Sequence, residues 1–172
     1  MTVNERRPAP EGVTRVEFGI SNPKYPFVGA SAGENCQLYL EEILPRGEGA
    51  YAEFFAVVGA DPDRIVDLAD EHASAEPTLL NEYDSGGRFE FHVADECPAV
   101  FLSELGALPR RVYSDQGEGH ISVEIPPAED ACEIVDAFLD AHPGAELERK
   151  SDQPYVTPMF SHRKFRNALE DR

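Results

Sequence analysis

Lysine is nearly missing from this chain. Among 172 residues there are 15 lysines and arginines together, and only Lys24, Lys150 and Lys164 are lysine. Against them stand 33 aspartates and glutamates, for a net charge of -18 at pH 7. A surface this uniformly acidic repels phosphate backbones and anionic bilayers, so neither direct DNA contact nor membrane attachment is expected of these residues. Long apolar runs are absent too. No stretch is long enough to span a bilayer, and the start, MTVNERRPAP, lacks the apolar core of a secretory signal, which points to the cytoplasm. Cysteine is scarce: Cys36, Cys97 and Cys132 are odd in number and widely spaced, as expected of reduced thiols rather than a disulfide frame.

What is present argues for a folded domain. Ten Phe and six Tyr fall mostly inside patterned segments, which a disordered acidic chain would lack. An acidic surface with Glu and Asp in place of Lys suits a cytosol of molar salt, where the Debye length shrinks to about 3 Å. The expectation is a halophilic protein of haloarchaeal origin. An ordinary acidic mesophile protein is the alternative, and the scarcity of Lys argues against it.

The chain divides into a flexible arm over 1–12, an α+β domain over 13–152, and a linker with a terminal helix over 153–172. Val13–Ile20 alternates as a strand, and Phe27–Gly33 reads as a short helical turn or a loop. Cys36–Leu44 and Ala50–Val58 read as strands joined by Pro45-Arg-Gly-Glu-Gly49. Asp61-Pro62 opens a helix, with a carboxylate to cap it and proline in its first turn. Thr78–Tyr83, Arg88–Val93, a helix over Pro98–Leu105, Arg110–Ser114, His120–Ile125, a helix over Ala128–Ala141 and a last strand over Ala145–Arg149 complete the pattern.

Gly47-Glu-Gly49 returns as Gly117-Glu-Gly119. Ile65-Val-Asp67 returns as Ile134-Val-Asp136, and His72 as His142, at offsets of 70, 69 and 70 residues. With the Gly86-Gly87 turn between them, three repeated strand-strand-helix units are expected, each turn using glycine for positive φ. The fold class that follows is α+β: an antiparallel or mixed sheet with helices on one face and a ferredoxin-like core running from Ala50–Val58 to Arg110–Ser114. The other, wetter face is left for a ligand or a second subunit.

Chemistry-bearing motifs are few. The cysteines and histidines form no Cys-x-x-Cys or His-x-x-x-His pair, so no metal is expected. There is no Gly-x-Ser-x-Gly elbow, and Gly29-Ala-Ser-Ala-Gly33 lacks the lysine of a phosphate loop. Neither enzyme activity nor a cofactor is expected. The positions to watch for ligand binding are Glu48 and Glu118 in the Gly-flanked turns, His92 and His120 on the sheet, and Arg110 and Arg111 before the third hairpin.

The terminal segment differs from the rest. Ser161 can cap a helix in which Phe165, Ala168 and Leu169 form an apolar stripe, while His162, Arg163, Lys164, Arg166 and Arg172 form the chain's one basic cluster. Such a helix either packs back on the domain or connects to a further module. The turn Ile43-Leu-Pro-Arg-Gly-Glu-Gly49 with its aromatic strand, the Asp-rich helix start, and the ending Phe165-Arg-Asn-Ala-Leu-Glu-Asp-Arg172 resemble the haloarchaeal bacterio-opsin-activator-like regulators. That resemblance implies a signal-sensing domain that forms a homodimer, a small-molecule signal, and a DNA-binding helix-turn-helix beyond residue 172. A stand-alone small-molecule-binding or catalytic α+β protein of a halophile is the alternative.

Overall fold

A computed structural model describes residues 12–33, 35–71, 75–93 and 97–153. The expected arm, apart from Gly12, and the connector helix, with Arg163, Lys164, Phe165, Arg166 and Leu169, lie outside these residues, as does His72. Eight strands and four helices follow in the order β1 (Val13–Ile20), α1 (Pro26–Ala32), β2 (Gln37–Gly47), β3 (Ala50–Val58), α2 (Pro62–Glu71), β4 (Ala75–Tyr83), β5 (Gly86–Val93), α3 (Pro98–Glu104), β6 (Leu108–Asp115), β7 (Glu118–Ile125), α4 (Ala131–Ala141) and β8 (Ala145–Gln153).

The strands form one open sheet in the order β4-β5-β3-β2-β6-β7-β1-β8. Every neighbouring pair is antiparallel, so the sheet is not mixed. Alternation sets its two faces. Val16, Phe18 and Ile20 of β1, Phe55 and Val57 of β3, Phe89 and Phe91 of β5, and Ile121, Val123 and Ile125 of β7 are all buried. They join Val28 of α1, Ile65 of α2, Leu102 of α3 and Phe138 of α4 in a single core cluster. All four helices therefore cover one face. Asp130 caps α4 by accepting from the Glu133 N–H at 3.1 Å, as the sequence chemistry of helix starts favours.

The ferredoxin-like trace fails at one strand. It requires β6 beside β3, but β2 occupies that place and β6 pairs with β2 instead. The reason is local. The two-residue turn Glu48-Gly49 closes β2 onto β3 as a hairpin, which fills β3's free edge.

The three strand-strand-helix segments are not equivalent in space. The β2–β3 and β6–β7 hairpins meet in the middle of the sheet, whereas β4–β5 lies at its edge. The recurring Gly-Glu-Gly is also out of step. Glu48-Gly49 forms the first turn, with φ of 54° and 75°, while Gln116-Gly117 forms the other, with φ of 51° and 88°. Both are the left-handed pairs that suit tight hairpins. The true correspondence is thus Glu48-Gly49 with Gln116-Gly117, and Glu118 and Gly119 already belong to β7. Gly86 serves no positive-φ turn at all. A Cβ there would overlap the Val57 carbonyl of β3, so glycine at this position permits backbone contact.

Candidate functional site

On the face turned away from the helices, a hollow follows from side-chain size. Ser122 of β7 stands directly opposite Arg111 of β6 and Glu17 of β1. Two residues along β7 on the same face are His120 and Glu124. A serine ringed by long side chains leaves a depression, here a cavity of about 410 Å³ that Arg15, Tyr113 and Glu148 also line.

Electrostatics hold its rim in place. Glu124 is nearly buried and binds two guanidiniums: Arg15 Nη2 donates to Oε1 at 3.4 Å and Arg110 Nε donates to Oε2 at 3.0 Å. Arg111 is held differently, its guanidinium 4.6 Å over the Tyr113 ring. Among the described residues it has no carboxylate partner. Tyr113 in turn stacks on Tyr39 of β2, with centroids 6.0 Å apart, and on His120, at 4.8 Å. This ring ladder crosses β2, β6 and β7 and continues to Glu148, whose Oε2 lies 3.4 Å from His120 Nδ1. Glu148 sits where the β1–β8 register shifts, and it reaches His120 by passing over Gly19. Gly19 faces His120 across β1–β7, and a side chain there would occupy the place of the Glu148 carboxylate.

A second, smaller cavity of about 250 Å³ adjoins the first through Arg110 and Arg111. It exists because β2 and β6 pair only over Gln37–Tyr39 and Tyr113–Asp115. Beyond those residues the strands part, with Leu40–Ile43 on one bank and Pro109–Val112 on the other.

Of the six residues singled out for ligand binding, the fold brings Arg110, Arg111 and His120 together at the hollow. His92 shares the open face but lies on β5, in a separate network where Glu90 meets Arg46 at 3.1 Å and His92 at 3.6 Å. Glu48 and Glu118 stand at hairpin ends on opposite rims of the sheet, because β2 and β6 run antiparallel. Neither lines either cavity. Sequence reading passed over Arg15, Glu17, Tyr113, Ser122, Glu124 and Glu148. Alternation in β1 and β7 did place most of these on the polar face, but only sheet order makes them neighbours.

The helix face holds a largely buried acid–thiol pair that the sequence did not flag. Glu53 of β3 is 5% exposed and accepts the thiol hydrogen of Cys97, the N-cap residue of α3. Burial raises the Glu53 carboxyl from 4.5 to about 7, with the thiol hydrogen bond opposing part of that rise. Burial first, and the Glu53 carboxylate second, push the Cys97 thiol well above its ordinary value. Among the described residues no group of three or more His, Cys, Asp or Glu side chains could hold a metal ion, and no helix is long and apolar enough to cross a membrane.

A family model described as "BAT: GAF and HTH_10 associated domain" matches residues 11–167. No curated protein matches the chain.

Proposed function

The chain belongs to the BAT family of GAF- and HTH_10-associated domains, and on that premise we propose that it is the signal-sensing input domain of a haloarchaeal transcription regulator. The single observation that carries this reading is the family match over residues 11–167, since a domain found beside GAF and helix-turn-helix modules belongs to regulatory proteins. In this reading the chain acts in the cytoplasm as a homodimer, and a helix-turn-helix beyond residue 172 contacts DNA. The acidic domain itself stays off the phosphate backbone. Two-fold pairing suits such a regulator, because a symmetric dimer presents two reading heads to a symmetric site. A signal acts by binding one arrangement of the domain better than another, and the segment after β8 carries the difference onward.

The cavity on the open sheet face favours a second reading, a stand-alone small-molecule-binding or catalytic α+β protein of a halophile. One experiment separates the two. The coding region is deleted from the chromosome, transcripts are profiled, and the native polypeptide is sized by immunoblot. The regulator reading expects a restricted set of altered transcripts and a polypeptide larger than 19.0 kDa by roughly one small DNA-binding domain, on the order of 50 residues. Unchanged transcripts with a band at 19.0 kDa would assign the chain to the second. Light scattering in molar KCl tests the homodimer, which a monomer mass at every concentration would rule out.

A further inference from the structure

The hollow around Ser122 identifies what the input would be, an inference that rests on the sensing role proposed above. Its three arginines are not alike. Arg15 and Arg110 are spent on Glu124, whereas the Arg111 guanidinium stands 4.6 Å over the Tyr113 ring and has no anionic partner among the described residues. A guanidinium held against a ring keeps its N–H edge in plane, where it can grip a carboxylate or a phosphate with two hydrogen bonds.

The opposite wall has the complementary chemistry. Glu17 stands across Ser122 from Arg111 and, among the described residues, has neither a cation nor a hydrogen-bond donor. The Ser122 hydroxyl is likewise without a partner among them. Glu148, passing over Gly19 to His120, puts a second carboxylate on that side. Carboxylates want donors, so the occupant needs hydroxyl hydrogens at one end and an anion at the other. An aromatic ligand fits less well, because Tyr113, the tyrosine lining the hollow, already stacks on both Tyr39 and His120. A cavity of about 410 Å³ accommodates a metabolite-sized molecule.

We infer that this hollow binds a small hydroxylated anion, its carboxylate or phosphate held by Arg111 and its hydroxyls by Glu17, Ser122 and Glu148. Glu124 is a positioning residue, fixing Arg15 and Arg110 so that the rim stays open.

The test is a titration of the isotope-labelled 172-residue chain, followed by amide and His120 ring resonances in KCl. The probes are glycerate, glycerol 3-phosphate, inorganic phosphate and glycerol. Saturable shifts confined to β1, β6, β7 and β8 around Glu148 are expected with glycerate or with glycerol 3-phosphate, and whichever binds names the anionic group. Arg111→Ala should weaken that binding roughly tenfold or more, as loss of a charge-assisted contact does. Glu17→Gln should weaken it too. Arg88→Ala, which removes an arginine paired with Glu41 on the same face, should leave it unchanged. Spectra of each variant show directly that the fold is kept. No saturable shift with any probe would overturn the assignment, as would binding indifferent to Arg111→Ala, or inorganic phosphate binding as tightly as the hydroxylated anions. Any of these removes the hollow as a site while the transcript test of the regulator reading stands on its own.

Discussion

Among the described residues, Glu53 and Cys97 form a largely buried pair in which ionisation works against the fold from inside. The folded carboxyl is raised to about 7 against an ordinary 4.5, so the native state binds the proton more tightly than the unfolded chain does. Its contribution is fully present below about pH 4.5, falls as pH rises toward 7, and stays lost above that. Glu53→Gln keeps an acceptor for the thiol without a charge to bury. It should therefore stabilise the chain by up to about 3 kcal/mol at pH 8 and by little at pH 4.5, measured by urea unfolding at both values. A variant that destabilises equally at both would mean that the carboxylate is not held neutral. The thiols make a second test. Iodoacetamide should modify exposed Cys132 in the native chain, while buried Cys36 and the high-pKa thiol of Cys97 react only on unfolding. A hint of Glu53 was legible in AYAEFFAVV, where it shares a face with Phe55 and Val57 by alternation. In a chain with 33 acidic residues, one more glutamate reads as solvated, and its burial emerges only when α3 is seen to cover it.

At the scale of elements, glycine is used in two physically different ways, and substitution separates them. Gly49→Ala meets open space and is opposed only by its φ of 75°, so a loss of about 1 kcal/mol is expected. Gly86→Ala would force β3 and β5 apart, because its Cβ overlaps a main-chain carbonyl that cannot step aside. Its urea midpoint should fall well below that of Gly49→Ala; equal losses would mean that the strands can move. The sequence made strand and helix positions legible, since period and turn residues are local signals. Strand neighbours were not, because alternation assigns a residue to a face and says nothing of which strand lies beside it. That is why Arg110, Arg111 and His120 could be marked separately, while Arg15 and Glu17, more than ninety residues away from them along the chain, could not be joined to them.

For the whole molecule, the 172 residues carry a charge of -18, and self-repulsion should dominate the response to salt. Stability is expected to rise between about 0.1 M and about 1 M KCl as the screening length falls from about 10 Å to about 3 Å. Indifference to salt would remove the molar-salt habitat from the reading. The sheet order carries a mechanical consequence of another kind. β1, the earliest strand, lies between β7 and β8, and Val13 pairs with Gln153. The described backbone thus begins and ends at one corner of the sheet. A pull on its two ends would load the β1–β8 ladder like a zipper, one rung at a time, rather than in shear across all rungs at once. The first rungs to open, Val13 to Glu17, include Arg15 and Glu17, so tension between whatever flanks this domain would be felt at the hollow before it reached the core.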